Sequence, residues 1–140
     1  MDEHIELAKD SLNTQAKEIQ KLALRLGSEF SQAIDLILNC KGRVVLCGMG
    51  KSGLVGNKIA ATFASTGTTS FFMHPAEAFH GDLGMLTSDD LLILISYSGE
   101  TEEVIKLLPS LKHFGNKIIS ILGDTDPTLA RNSDVVLNVA

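Results

Sequence analysis

Five short, β-rich apolar runs limit what this chain can fold into: Val44-Val45-Leu46-Cys47, Thr69 to Met73, Leu91 to Ile95, Lys117 to Leu122 and Val135 to Val139. Their continuous apolar character, without an alternation of period two, is that of strands buried on both faces. Helical stretches separate them: Leu54 to Ser65, Val104 to Phe114 and a short Pro127 to Arg131. Strands that alternate with helices are joined by right-handed crossovers, which gives α/β architecture, an αβα sandwich around a five-stranded parallel sheet. Such sheets bind ligands beyond the carboxyl ends of their strands, so function is to be sought after Cys47, Met73, Ile95 and Leu122.

Two helices precede the first strand. Ile5, Leu12, Ile19 and Leu26 recur every seven residues, with Ala8 and Leu22 between them, and Gly27 ends the stripe. This predicts an amphipathic helix of roughly six turns that packs either on its own domain or on another subunit. Ser28 is placed to cap a second helix with the apolar face Phe30, Ala33, Ile34, Ile37 and Leu38, ending near Cys40-Lys41-Gly42. At 140 residues the chain accommodates one domain, with N-terminal helices over 1–41 and the sheet core over 42–140.

Charge and composition exclude several classes. Seventeen acidic against twelve basic residues give a net charge of −5. The basic residues are scattered, which argues against nucleic acid as a partner. The longest apolar run, Leu91 to Ile95, is far below the roughly 20 residues that span a bilayer, so no membrane segment is expected. Met1-Asp2-Glu3-His4 lacks the basic start of a secretory signal, and Cys40 and Cys47 have no metal-ligand or CxxC spacing. The expectation is a reduced cytoplasmic protein in which Cys47 is a small buried hydrophobe.

Two loops carry chemistry. Gly48-Met49-Gly50-Lys51-Ser52-Gly53 follows the first strand and has the lettering of a dinucleotide fingerprint. That reading wants an acidic residue at the end of the second strand, where this chain has Met73-His74-Pro75, so a nicotinamide dehydrogenase is disfavoured. A P-loop fails because Val45 stands where its first glycine belongs. What remains is a turn that offers backbone N–H groups, the Ser52 hydroxyl and the Lys51 ammonium to an anion, or glycines that serve only close helix packing. Ser96-Tyr97-Ser98-Gly99-Glu100-Thr101 follows the third strand with three hydroxyls, a cradle of neutral donors for a phosphate. Ordinary capping, with Ser98 at the N-cap and Glu100, Glu102 and Glu103 at the positive end of a helix, is the alternative.

These two blocks, with Ala64-Ser65-Thr66-Gly67-Thr68 and His74-Pro75-Ala76-Glu77-Ala78-Phe79-His80-Gly81-Asp82-Leu83-Gly84-Met85, resemble the sugar isomerase (SIS) domain of bacterial D-arabinose 5-phosphate isomerases. The resemblance runs over roughly residues 40 to 140. It implies a flavodoxin-like sandwich and an aldose–ketose isomerisation between D-arabinose 5-phosphate and D-ribulose 5-phosphate through an enediol. It also implies a place in the supply of Kdo, the eight-carbon acid sugar of lipopolysaccharide or capsule, and a cytoplasmic homotetramer with no required cofactor.

Carried over by position, Ser96, Ser98 and Thr101 hold the substrate phosphate, and Lys51 and Glu103 are catalytic. Ser52 lies on the anion-binding turn, and Gly67, Thr68, His74 and His80 match substrate-contacting positions. His74 also matches a residue seen with inhibitory zinc. Proton transfer through an enediol needs a base, the role open to Glu103, and a cation or donor for the developing oxyanion, the role open to Lys51. His74 and His80 alone are too few ligands for a structural or catalytic zinc.

Family members continue past the fifth strand, where a further glutamate and histidine are proposed to share in catalysis and many add paired regulatory CBS domains. The expectation is that these 140 residues are a fragment of a longer isomerase or a short form of it. A sensor module that binds a phosphosugar without turning it over is the alternative function.

Overall fold

Side-by-side pairing satisfies the backbone groups of the apolar runs without solvent, and the chain adopts it. The computed structural model describes residues 2–124 and 127–140. In chain order its elements are α1 (Glu3–Arg25), α2 (Ser28–Leu38), β1 (Val44–Gly48), α3 (Gly50–Ser65), β2 (Ser70–Met73), α4 (Pro75–Ala78), a 3-10 turn (Asp82–Met85), β3 (Leu91–Ser96), α5 (Glu102–Ile105), α6 (Leu108–Phe114), β4 (Lys117–Leu122), α7 (Thr128–Arg131) and β5 (Val135–Asn138). The five strands form one parallel sheet in the order β2-β1-β3-β4-β5. Val44 pairs with Ser70 on one side and Leu91 on the other, so Gly48, the last residue of β1, lies beside Ile95, one residue before the end of β3.

The pleat divides the core in two. Val45, Cys47, Leu92, Leu94, Ile118 and Leu122 face α4 to α7, where Val104, Leu107, Leu111 and Leu129 close over them. Val44, Leu46, Ile93, Ile119 and Val135 face α2 and α3, packing with Ala33 and Ala60. An entirely apolar hollow of about 180 Å³ remains between α2 and α3, lined in part by Phe30, Ile34, Phe63 and Leu137.

Four expectations are corrected. The helix expected over Val104 to Phe114 is two helices, α5 and α6, because Pro109 has no N–H to offer the carbonyl of Ile105. The helix expected from Leu54 begins at Gly50, so most of the glycine-rich segment is the first turn of α3. Gly27, not Ser28, occupies the N-cap of α2, and its N–H donates to Glu29 Oε1 at 3.1 Å. Leu38 projects outward and Leu36 takes its place beside the core.

The two N-terminal helices differ in kind. The core-facing side of α2 carries Ala33, Leu36 and Ile37, whereas none of the 23 residues of α1 is buried. Its stripe lies open, Ile5 at 51%, Leu12 at 66% and Ile19 at 68% exposure. Among the described residues no helix is long and apolar enough to cross a membrane.

A polar pin closes the amino edge of the sheet. The buried Asp90 carboxylate accepts from the N–H of Arg43 (2.7 Å) and of Thr87 (2.8 Å) and pairs with the Arg43 guanidinium at 3.2 Å. That guanidinium stacks over Phe71 and donates to the Met85 carbonyl. Burial pushes the Asp90 carboxyl up, but the Arg43 and Thr87 donors outweigh it and hold it below its ordinary range.

Candidate active site at the carboxyl edge

Where β2, β1 and β3 end, the topology gathers the loops that the sequence marks out, at the position where doubly wound sheets bind ligands. Close packing fixes the first. A Cβ at Gly53 would fall 2.5 Å from the carbonyl oxygen of Gly48, so only glycine lets α3 start this near the end of β1. The packing role considered for these glycines is therefore present at Gly53, and it sets Lys51 and Ser52 on the first turn of α3. Lys51 is exposed and makes no hydrogen bond or ion pair among the described residues; Ser52 is half-buried.

The second loop is ordered from within. Ser96, expected to hold the phosphate, is 2% exposed and spends its hydroxyl inside the loop. Its Oγ accepts from Gly99 N at 3.0 Å and lies 2.7 Å from Thr101 Oγ1. Because Ser96 is buried and Thr101 Oγ1 is the acceptor beside it, the arrangement that spends the buried proton has Ser96 donating to Thr101, which leaves the proton of half-buried Thr101 for a ligand. Ser98 is exposed, and its Oγ accepts from Glu100 N at 3.1 Å, so its proton is likewise unspent. Ser98 does not cap α5. Thr101 holds the N-cap position with no side-chain bond to the helix, and the first turn of α5 adds N–H groups that lack intrahelical acceptors.

The three glutamates beside this loop have separate fates. The Glu102 carboxylate pairs with Lys106 at 3.2 Å. The Glu100 carboxylate leaves α5 altogether and accepts from Thr128 N and Oγ1, which hold it below the usual carboxylate range. Glu103, half-buried on the first turn of α5, has no hydrogen bond or ion pair among the described residues. Glu103, on the turn that follows the hydroxyl loop, and Lys51, on the first turn after the neighbouring strand β1, are thus both without a partner among the described residues. This sorting is invisible in the sequence, where the three glutamates look alike.

His74 follows β2 directly. It is half-buried and caps α4, its Nδ1 accepting from Ala76 N at 3.2 Å. A neutral ring in that pose carries its proton on Nε2, the nitrogen a metal would need unprotonated. The described residues bring no three His, Cys, Asp or Glu side chains into one cluster. Among the described residues, His74 thus lacks the further ligands that a structural or catalytic zinc would need. His80 is exposed, with Nδ1 4.0 Å from Glu77 Oε2. Since α4 packs beside α5, the His74 to His80 segment borders the hydroxyl loop.

Gly67 and Thr68 are not brought to this edge. They connect the end of α3 to the start of β2, where Thr68 N donates to Phe63 O and Thr69 O accepts from Val44 N. They therefore sit at the amino edge, one length of β2 away from His74, about 13 Å for its four residues. A parallel βαβ unit always returns its helix to the amino edge, so the sequence already contained this signal. A hollow of about 280 Å³ at the amino edge, lined by Leu36, Cys40, Asp89 and Lys117 among others, contains none of the candidate residues.

The SIS-domain family model matches residues 37–140. Arabinose 5-phosphate isomerase KpsF of Escherichia coli is 59% identical over 132 residues, 94% of this chain and 40% of that protein. Arabinose 5-phosphate isomerase KdsD of Pseudomonas aeruginosa is 48% identical over 136 residues, 97% of this chain and 42% of that protein. The solved structure of E. coli CFT073 c3406 in complex with arabinose 5-phosphate superposes with a TM-score of 0.92 at 45% identity, covering 99% of this chain and 75% of that one. The chain thus spans about two fifths of the length of these curated relatives.

Proposed function

The chain belongs to the SIS-domain family, and we propose that it is the core of an arabinose 5-phosphate isomerase, interconverting D-arabinose 5-phosphate and D-ribulose 5-phosphate. The observation that carries this reading is the placing, at one sheet edge, of Glu103 and Lys51, both without a partner among the described residues, with a loop of neutral hydroxyls. The relatives' names supply the substrate class.

In this reading the Ser98 and Thr101 hydroxyls and the N–H groups opening α5 receive the phosphate, and Ser96 braces them from below. Glu103 removes the proton from C2 of the open-chain aldose and returns it to C1. Lys51 stabilises the oxyanion that forms on O1 as the enediol develops, and the C2 hydroxyl proton moves to O1 as the ketone forms. Atoms balance with no oxidant, metal or second substrate. His74 and His80 contact the sugar from the β2 side.

We also propose a homo-oligomer, a tetramer as the resemblance implies. The uncovered stripe of α1 supports assembly, and so does the place of Gly67 and Thr68, which reach a sugar phosphate only if another copy brings its carboxyl edge to them. The free thiols Cys40 and Cys47 support a cytoplasmic location, and the relatives' names support a role in supplying Kdo. A phosphosugar sensor is the second reading, favoured by the separation of Gly67 and Thr68 from the remaining candidates.

Proton NMR of arabinose 5-phosphate in D₂O with the protein present tests both. Exchange at C2 with accumulation of ribulose 5-phosphate is expected. Binding without exchange, both by these 140 residues and by a form extended with the later glutamate and histidine that the resemblance implies, selects the sensor, and absence of binding removes both readings.

A further inference from the structure

The hydroxyl loop is tied to Gly123 and to α7 as well as to the helix it opens. Gly123 N donates to the Tyr97 carbonyl at 2.8 Å, and Leu129 N donates to the Gly99 carbonyl at 3.2 Å. The Tyr97 ring lies on Gly123, and Gly99, at φ +69°, is packed so closely on Pro127 that a Cβ there has no room.

At the centre of these ties is the Glu100 carboxylate. It accepts from Thr128 N at 2.6 Å and lies 2.9 Å from Thr128 Oγ1 through both of its oxygens. Arg131 Nη2, which can only donate, approaches Thr128 Oγ1 at 3.3 Å, so the hydroxyl proton must point at Glu100. Pro127, the N-cap of α7, offers no side-chain acceptor, and Glu100 fills that need from 28 residues away. A carboxylate this near a phosphate loop would repel its ligand, and the bonds to Thr128 turn it toward α7 instead.

We propose that Glu100 is a positioning residue for phosphate binding, a latch that holds Ser98 and Thr101 in their receiving geometry by fastening the loop to α7 through Thr128. The inference rests on the reading of that loop given under Proposed function. It assigns Glu100 no contact with substrate.

Calorimetry with inorganic phosphate and with arabinose 5-phosphate, alongside amide hydrogen exchange, tests it on the 140-residue chain. Glu100→Ala is expected to weaken both ligands about tenfold and to speed exchange at Thr128 and Leu129 by a similar factor, the scale of one lost hydrogen bond to a charged group. Glu100→Gln, whose single amide oxygen can still accept from Thr128 N and Oγ1, is expected to restore both to within about threefold. Adding Thr128→Val to Glu100→Ala is expected to cost nothing further, since the partner is already gone. Unchanged affinity or exchange in Glu100→Ala, or a Gln variant as impaired as the Ala variant, overturns the latch while leaving the phosphate loop intact. A wild-type chain that binds neither ligand overturns the reading of the loop, and the latch falls with it.

Discussion

Strand β3 and helix α1 are both built on Leu and Ile, yet all six residues of β3 are buried and none of the 23 in α1 is. The difference lies in what the rest of the chain can supply. A parallel strand is flanked by its neighbours and roofed on both sides by its own crossover helices, so its burial is completed within the chain. An amphipathic helix ahead of the first strand has no crossover geometry to place it, and an apolar stripe states only that something covers it. The lesson is that periodicity specifies a face, and topology specifies whether the chain itself provides the cover.

The largest effect should come from the strand. Leu92→Ala removes a side chain with 0% exposure between β1 and β4 and should destabilise the domain by about 2–5 kcal/mol in urea unfolding. Leu12→Ala on α1 should change the unfolding of dilute protein by less than about 0.5 kcal/mol. A comparable loss at Leu12 would show that α1 is covered even in dilute solution.

The amino-edge pin should come next. Asp90→Ala removes the buried carboxylate that accepts from the Arg43 and Thr87 N–H groups and pairs with the Arg43 guanidinium, a loss of roughly 2–3 kcal/mol. Because the native Asp90 carboxyl titrates below its ordinary value, its contribution is fully present above about pH 4 and disappears as pH falls through the depressed native value. Urea unfolding followed from pH 6 to pH 2 should show this decline in the wild type, and a weaker decline in Asp90→Asn.

A smaller effect sharpens the contrast from the other side. Leu12→Ser with Ile19→Ser should leave the circular dichroism spectrum of the dilute chain unchanged and lower its association in sedimentation runs by tenfold or more, because the exposed stripe is the surface removed. The smallest effect concerns the thiols. Burial pushes the Cys47 thiol up to about 12, so a neutral disulfide reagent should modify half-buried Cys40 first and reach Cys47 only on unfolding.

Much of the sheet was legible because each strand announces itself locally. Lys117–Leu122 is bounded as the aliphatic run predicts, and the other four strands differ by a residue at one end. Helix limits were less legible where tertiary contact overrides propensity. Gly50-Lys51-Ser52-Gly53 is a poor helical turn by composition and becomes one because Gly53 can press against Gly48. Pro109 is plain in the sequence, and its missing N–H alone would have divided the helix expected around it. Within the site, the residue types were legible, but their states were not. Nothing local distinguishes the buried, committed hydroxyl of Ser96 from the open one of Ser98, and the partner of Glu100 lies 28 residues along the chain.

The register of β1 against β3 also governs how the molecule comes into being. Arg43 and Asp90, which lock the start of that pairing, are separated by 47 residues. At a synthesis rate of about 5–20 residues per second, β1 leaves the ribosome roughly 2–10 s before its central neighbour exists. During that interval Val44, Val45, Leu46 and Cys47 can be shielded on one edge only, by β2. Nascent chains are accordingly most open to wrong pairings before Leu91 to Ser96 emerges, and a translational pause just upstream of this strand should lower the soluble yield more than the same pause placed after it.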